Sequence, residues 1–372
     1  MIVDYIPDLD PKMHYIRYAD LIDQHPLPCI LLDFNRPQFN FNITQGIDAL
    51  LIEKYSKFQK NPPLLIIHSI NESPTIDRFS FLPALKSLHP GLKILHLTTG
   101  WESPQADYTT ITDCNTFFWH IHNQWKDSFS YQATHHFVAL ARIPRFSRTR
   151  VINSILNRNL QHLGYFSIGA AAECDNSNEF FLRNHTALGI DEKNLKYFPC
   201  FVDGIVDLKS KLADKQSFCK SSTITNDKIK NALVNVVLES GFEYSSAVPA
   251  DWSWTVPMLT EKTVKAFVLG QIPMILGPRG QVEKTRQQGF DLFDELIDHG
   301  YDNEPDPLLR IEQFVSSLEK FINRVPSNTL QDLKESLMPR FMFNRELAKK
   351  MSDCDISVEI TKFLDSLQLE NL

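Results

Sequence analysis

The chain has 372 residues, which at roughly 150 residues per domain predicts two domains. Lys and Arg total 38 against 45 Asp and Glu, a net charge of −7, and 43% of residues are hydrophobic. This balance excludes a largely disordered chain and argues against a dedicated basic nucleic-acid binder. No run approaches the ~20 apolar residues of a membrane span.

The N-terminal Met1-Ile2-Val3-Asp4 has no basic region followed by an apolar segment, so no signal peptide is expected. The six cysteines form no Cys-x-x-Cys pair, which predicts reduced thiols and a cytoplasmic location. Cys29 to Asp33 is a short apolar run that predicts a strand, and Ile47 to Phe58 has helical spacing. Leu64 to His68, after two prolines, predicts a buried parallel strand. Arg78 to Leu88 predicts a helix, closed by His89-Pro90-Gly91, and Leu92 to Leu97 the next strand. Strand, helix and strand at this spacing make a βαβ unit with a right-handed crossover.

The second half repeats this grammar. Phe137 to Ala141 predicts a strand, Arg150 to Leu160 a helix, and Asn231 to Leu238 a buried strand. The stretch 203–230 is polar and loop-like. Thr260 to Leu269 predicts a helix with Thr260 as N-cap and Gly270 just past its end. Ile272 to Leu276 predicts a strand, Gly277 to Gly280 a turn, and Gln281 to Gln288 a short helix. Residues 306–323 and 327–372 predict further helices. The expected architecture is α/β: two domains, each with a mostly parallel sheet, over 1–133 and 134–325, with a helical tail over 326–372. Ligands in such sheets bind outside the carboxyl ends of the strands, often in a cleft between domains.

Chemistry concentrates between Val236 and Gly277. Glu239 and Ser240 stand at a strand end, and Thr260, Glu261 and Lys262 open a helix. A helix N-terminus with a lysine stabilises diphosphate oxygens, and a carboxylate accepts hydrogen bonds from sugar hydroxyls. The same residues also fit an ordinary helix start, with a first-turn acid and a solvated lysine. Arg142, Arg145, Arg148 and Arg150 lie between a strand and a helix, where guanidinium groups clamp phosphates or simply form a solvated basic loop. Trp252, Trp254 and Tyr244 in the preceding loop suit either sugar stacking or core cover.

Val237-Leu238-Glu239-Ser240, then Thr260-Glu261-Lys262, then Gly270-Gln271-Ile272-Pro273 leading to Gly277, resembles the donor-binding half of the fucosyltransferase family. Ser240 stands where that family usually has asparagine, and Met258 where it usually has an aromatic residue. The resemblance extends more weakly over Phe137 to Ser167. It implies an inverting glycosyltransferase with two Rossmann-like domains facing a cleft (the GT-B architecture) and C-terminal helices. The first domain would bind the acceptor and the second the nucleotide sugar.

The resemblance further implies a GDP-sugar co-substrate, GDP-fucose being one candidate, with no further cofactor and no obligatory metal. It assigns the diphosphate to Lys262 and an arginine, Arg148 ahead of Arg142 and Arg145, and donor hydroxyls to Glu261. The acceptor would be an oligosaccharide or another hydroxyl compound. A general base must take its proton, and Glu102 and Glu72 are candidates by position after first-domain strands. Two alternatives remain: a sugar-nucleotide or glycan binder without catalysis, and a viral-type transferase that glycosylates nucleic acid. Asp8-Leu9-Asp10 and Asp353-Cys354-Asp355 match an acidic metal motif but lack a preceding buried strand. His120, His122, His135 and His136 suggest packed or surface residues rather than a metal set, and His68 and His96 packed core residues.

Overall fold

The computed structural model describes residues 29–33, 64–69, 87, 90–98, 109–112, 129–141, 144–168, 177–198, 227–239, 242, 257, 259–352 and 357–369. The protein is mixed α/β with two parallel sheets. It divides into two compact units, one of residues 1–116 with 353–372, the other of residues 117–352.

The first unit holds β1 (Cys29–Asp33), β2 (Leu64–Ser69), β3 (Ile94–Thr98) and β4 (Thr109–Thr112), hydrogen-bonded in chain order and all parallel. The three predicted strands are present, and β4 is an addition that its short threonine-rich sequence does not announce. Leu64, Leu65, Ile94 and Leu95 are buried, as the apolar runs require. The final helix, Ser357–Leu369, buries Ile360, Leu364 and Leu367 along one stripe. The helix expected at 47–58 lies outside the described residues, as does all of the 78–88 helix except Ser87.

The second unit is built on β5 (His135–Ala141), β6 (Gly164–Ile168), β7 (Ala232–Leu238) and β8 (Ile272–Leu276), in the order β6-β5-β7-β8. Chain order and sheet order diverge at the centre. From β5 the chain steps outward through α1 (Phe146–Asn157) to β6; from β7 it steps the opposite way through α4 (Glu261–Leu269) to β8. Between these lie α2 (Ser177–Asn184) and α3 (Asp227–Lys230). Right-handed crossovers in opposite directions set α1 and α4 on opposite faces. Each is covered by a later helix: α6 (Pro307–Arg324) packs on α1, and α8 (Met338–Ser352) on α4. The helices α5 (Gln281–Gln287) and α7 (Leu330–Ser336) complete the unit.

Close packing explains particular residues. Every residue of β7 and β8 is buried, including Pro273, which the ladder tolerates because β8 is an edge strand of this sheet. Gly164 opposes Phe137 across β5 and β6, and a Cβ at Gly164 would stand 2.5 Å from the Phe137 ring. Buried Asn235 in β7 donates to Gln271 Oε1 at 2.7 Å, and Gln271 donates in turn to the Ile229 carbonyl at 2.7 Å, so these core amides satisfy one another. Phe267 of α4 stacks on Phe290 with ring centroids 4.0 Å apart.

The end of α4 is fastened by a buried cation. Gly270 ends the helix at φ 69°, a left-handed conformation that favours glycine. Lys334 of α7 is fully buried and donates its Nζ–H to the Gly270 carbonyl. Its ammonium lies 4.4 Å from the Phe341 ring centroid and 5.6 Å from that of Phe129. Burial pushes Lys334 from the ordinary 10.5 down to about 7. Below that value the lysine is charged in both folded and unfolded chains. Between about 7 and 10.5 the unfolded chain holds a proton that the folded chain has released, so stability rises with pH. The expected slope contribution is at most about 1.4 kcal/mol per pH unit. Urea midpoints at about pH 7 and about pH 9 should show this rise in the native chain and its loss in Lys334→Met.

Candidate functional site

Ala139 pairs with Val236, so β5 and β7 both end two residues later, side by side. The chain leaves these ends in opposite directions, the switch point at which open parallel sheets form a ligand crevice. Glu239, Thr260, Lys262, Arg145 and Arg148 all belong to the segments leaving this edge.

Glu239 follows β7 directly, and its backbone N–H extends the ladder to the Leu276 carbonyl at 2.9 Å. Its side chain is only 1% exposed. A carboxylate at that depth needs donors. Thr260 donates its hydroxyl to Oε2 at 2.6 Å, and Thr263 donates to Oε1 at 2.6 Å. Lys262 Nζ lies 3.8 Å from Oε2. The Thr260 oxygen also accepts the Lys262 backbone N–H at 3.2 Å, so one hydroxyl caps α4 and satisfies the buried acid. Gly277 makes room on the other side: a Cβ there would lie 3.4 Å from the Glu239 Cβ and 3.0 Å from the Gln281 Cγ.

Both Glu239 oxygens are therefore engaged within the protein. The residue locks the first turn of α4 to the strand end and sets where Lys262 begins. Lys262 retains 23% side-chain exposure while its ammonium stays within 3.8 Å of the buried Glu239 carboxylate, in the first turn of α4. Glu261 is the first residue of α4. Thr263, with no role in the sequence reading, completes the carboxylate's shell; its signal is the one-turn spacing from Thr260.

On the other lip, α1 begins at Phe146, four residues before the expected start, with Arg145 at its N-cap position. Arg148 sits in the first turn and is buried. Arg150 turns away to Glu312 of α6 at 3.3 Å, with Arg158 2.5 Å from Glu319 further along. These pairs are about one-third exposed and contribute little individually. The expected arginine cluster thus splits: Arg145 and Arg148 stay at the crevice edge, and Arg150 ties two helices together. Arg142, Ser240, Glu72 and Glu102 lie outside the described residues, as do Trp252, Trp254 and Tyr244.

A concavity of about 300 Å³ lies beside α5 and is lined by Glu283, Arg286, Asp294, Asp298, His299 and Asp302 among others. Its charges serve the fold. Arg286 bridges Glu283 and Asp294, and the Asp302 carboxylate caps α5 by accepting the Val282 and Glu283 N–H groups at 3.1 and 3.2 Å. Burial raises Asp302 from the ordinary carboxylate range, opposed by those two backbone bonds. His136 is buried, its Nε2 2.7 Å from the Val325 carbonyl, and His135 Nε2 is 2.7 Å from the Lys228 carbonyl, so both serve packing. No group of side chains among the described residues converges in the manner of a metal site.

Thr260→Val should leave the α4 cap open and remove a donor from Glu239, costing on the order of 2–4 kcal/mol. Thr260→Ser keeps the hydroxyl and should cost less than about 1 kcal/mol. Urea denaturation of the two variants checks the contrast. No protein-family model matches this sequence, and neither does any curated protein or solved structure.

Proposed function

We propose that the protein is a glycosyltransferase that moves a sugar from a nucleotide-sugar donor to a glycan hydroxyl, with inversion at the anomeric carbon. A GDP-sugar is the first candidate donor. One observation supports this reading above the others: Glu239, Thr260 and Thr263 hold Lys262 and the α4 N-terminus at the point where β5 and β7 part. A crevice at such a point is where open parallel sheets take nucleotides. The resemblance of these same residues to the fucosyltransferase donor half makes a nucleotide sugar the specific choice, and with it a pair of Rossmann-like domains in the GT-B manner.

In this mechanism the donor's diphosphate lies against the α4 amides and Lys262, with Arg148 on the facing lip. Negative charge builds on the diphosphate as the glycosidic bond breaks, and fixed cations there lower the barrier because they need no reorganisation. The acceptor hydroxyl attacks from the opposite side as a carboxylate takes its proton, Glu72 and Glu102 being the candidates. Glu239 works as a positioning residue, since its oxygens are spent on Thr260 and Thr263.

Thermal unfolding against a panel of nucleoside diphosphates and nucleotide sugars, with and without a divalent metal, tests the reading. A nucleotide at 100 times its Kd should stabilise the folded state by about 2.7 kcal/mol, a shift of several degrees. Lys262→Ala should abolish that shift. No shift with any nucleotide overturns the donor site. Binding without release of nucleoside diphosphate in the presence of hydroxyl acceptors leaves a sugar-nucleotide-binding protein in place of an enzyme.

A further inference from the structure

The concavity beside α5 holds more acid than its own cation neutralises. Four carboxylates line it, those of Glu283, Asp294, Asp298 and Asp302, against the single guanidinium of Arg286. Arg286 engages Glu283 and both oxygens of Asp294. Lys320 of α6 lies outside the lining and reaches Asp298 at 3.0 Å, in a pair more than half exposed. Such a pair contributes little and yields readily to a competing cation. His299 adds no charge at neutral pH. Burial lowers it below its ordinary 6.5, and its two ring nitrogens lie 3.0 Å from the Tyr301 hydroxyl and 3.0 Å from the Leu292 carbonyl.

Asp302 stands apart from the other acids. It is only 5% exposed, yet no side chain among the described residues forms an ion pair with it. Its Oδ2 accepts the Val282 and Glu283 N–H groups at 3.1 and 3.2 Å. Its Oδ1 accepts no hydrogen bond among the described residues, and it is not sealed away from solvent, so it faces the concavity. A carboxylate this deep with one oxygen unmatched is costly to keep charged, as its raised titration reflects. A cation that donates to Oδ1 offsets that cost.

The remaining walls limit the size and shape of that cation. Val282 and Ile297 supply an apolar side, and about 300 Å³ is the small end of the ~300–1,000 Å³ range of ligand pockets. Arg286 is an internal precedent, a cation on an alkyl stem held by two of these same acids. We propose that the concavity binds a small alkyl diamine, with one ammonium on Asp302 Oδ1, the stem along Val282 and Ile297, and the second ammonium at the exposed acids of the rim, Asp298 first. The site uses none of the residues assigned to the sugar-nucleotide donor and stands or falls apart from that reading.

The test is titration calorimetry of the full chain with 1,4-diaminobutane at neutral pH and constant ionic strength, with uncharged 1,4-butanediol as the comparison. The diamine should bind and the diol should not. Asp302→Asn keeps an oxygen for the α5 amides but removes the charge. It should raise the diamine Kd on the order of tenfold to a hundredfold, the loss of a charge-assisted hydrogen bond. Asp332→Asn neutralises an exposed acid of α7 outside the lining and should leave the Kd within about twofold of native, as a screened surface charge does. Circular dichroism and urea unfolding establish whether Asp302→Asn folds. If it does not, Asp298→Asn at the exposed rim should raise the Kd several-fold. Absence of diamine binding, equal binding of the diol, an unchanged Kd in the folded Asp302 variant or its Asp298 substitute, or an equal loss in Asp332→Asn overturns the proposal.

Discussion

A carboxylate buried at the end of a strand must be given donors, and in this protein that demand organises the edge of the second sheet. Glu239 is satisfied by two hydroxyls from a single helical turn, Thr260 and Thr263. Because Thr260 is simultaneously the N-cap of α4, the strand end, the helix start and the direction of the first-turn amides are one linked geometry. Leaving a buried acid without either donor costs about 1–3 kcal/mol or more, so the arrangement resists displacement of either element. Lys262 inherits its position from this lock, as the residue whose own amide the cap accepts.

The opposite end of α4 is held as firmly. Gly270 turns the chain through a left-handed conformation, the Leu269 carbonyl accepts the Ser130 N–H at 3.2 Å, and the Gly270 carbonyl accepts Lys334. A cation suits that end because the helix dipole presents partial negative charge there. The helix is thus pinned through its caps, with its apolar side against β7 and β8. In the proposed donor site such rigidity is an advantage, since preorganised dipoles need no reorganisation when charge develops on a ligand.

Sequence legibility follows how much of an element's stability is local. β5, β7, β8 and α4 were readable because continuous apolar runs, a threonine cap and a terminal glycine are short-range signals. β6 was not, because only Ile168 of its five residues is fully buried, so Gly164-Tyr165-Phe166-Ser167 lacks the run of a core strand. The sequence signals the start of α1 too late because Arg145 to Arg150 reads as a solvated basic loop, whereas Ser147, Arg148 and Thr149 are all buried. At the site, the Thr260 cap is legible in the sequence but the structural role of Glu239 is not. Its spacing from Thr260 and Thr263 in the chain says nothing about hydroxyls closing on its oxygens.

Arg310 illustrates the limit of local reading most clearly. In the sequence it is one cation in an amphipathic helix, a pattern that predicts a solvent-facing residue. Its depth follows from α6 packing along α1, about 160 residues away in sequence, and from its contact with Phe242 after β7, about seventy residues away. The two lips of the crevice use their charges differently. On the α4 side Lys262 is paired with a buried acid and stays partly exposed, a cation whose cost of burial is already offset. On the α1 side Arg148 is buried in the first turn of its helix, and Arg310 of α6 is buried with its guanidinium over the Phe242 ring.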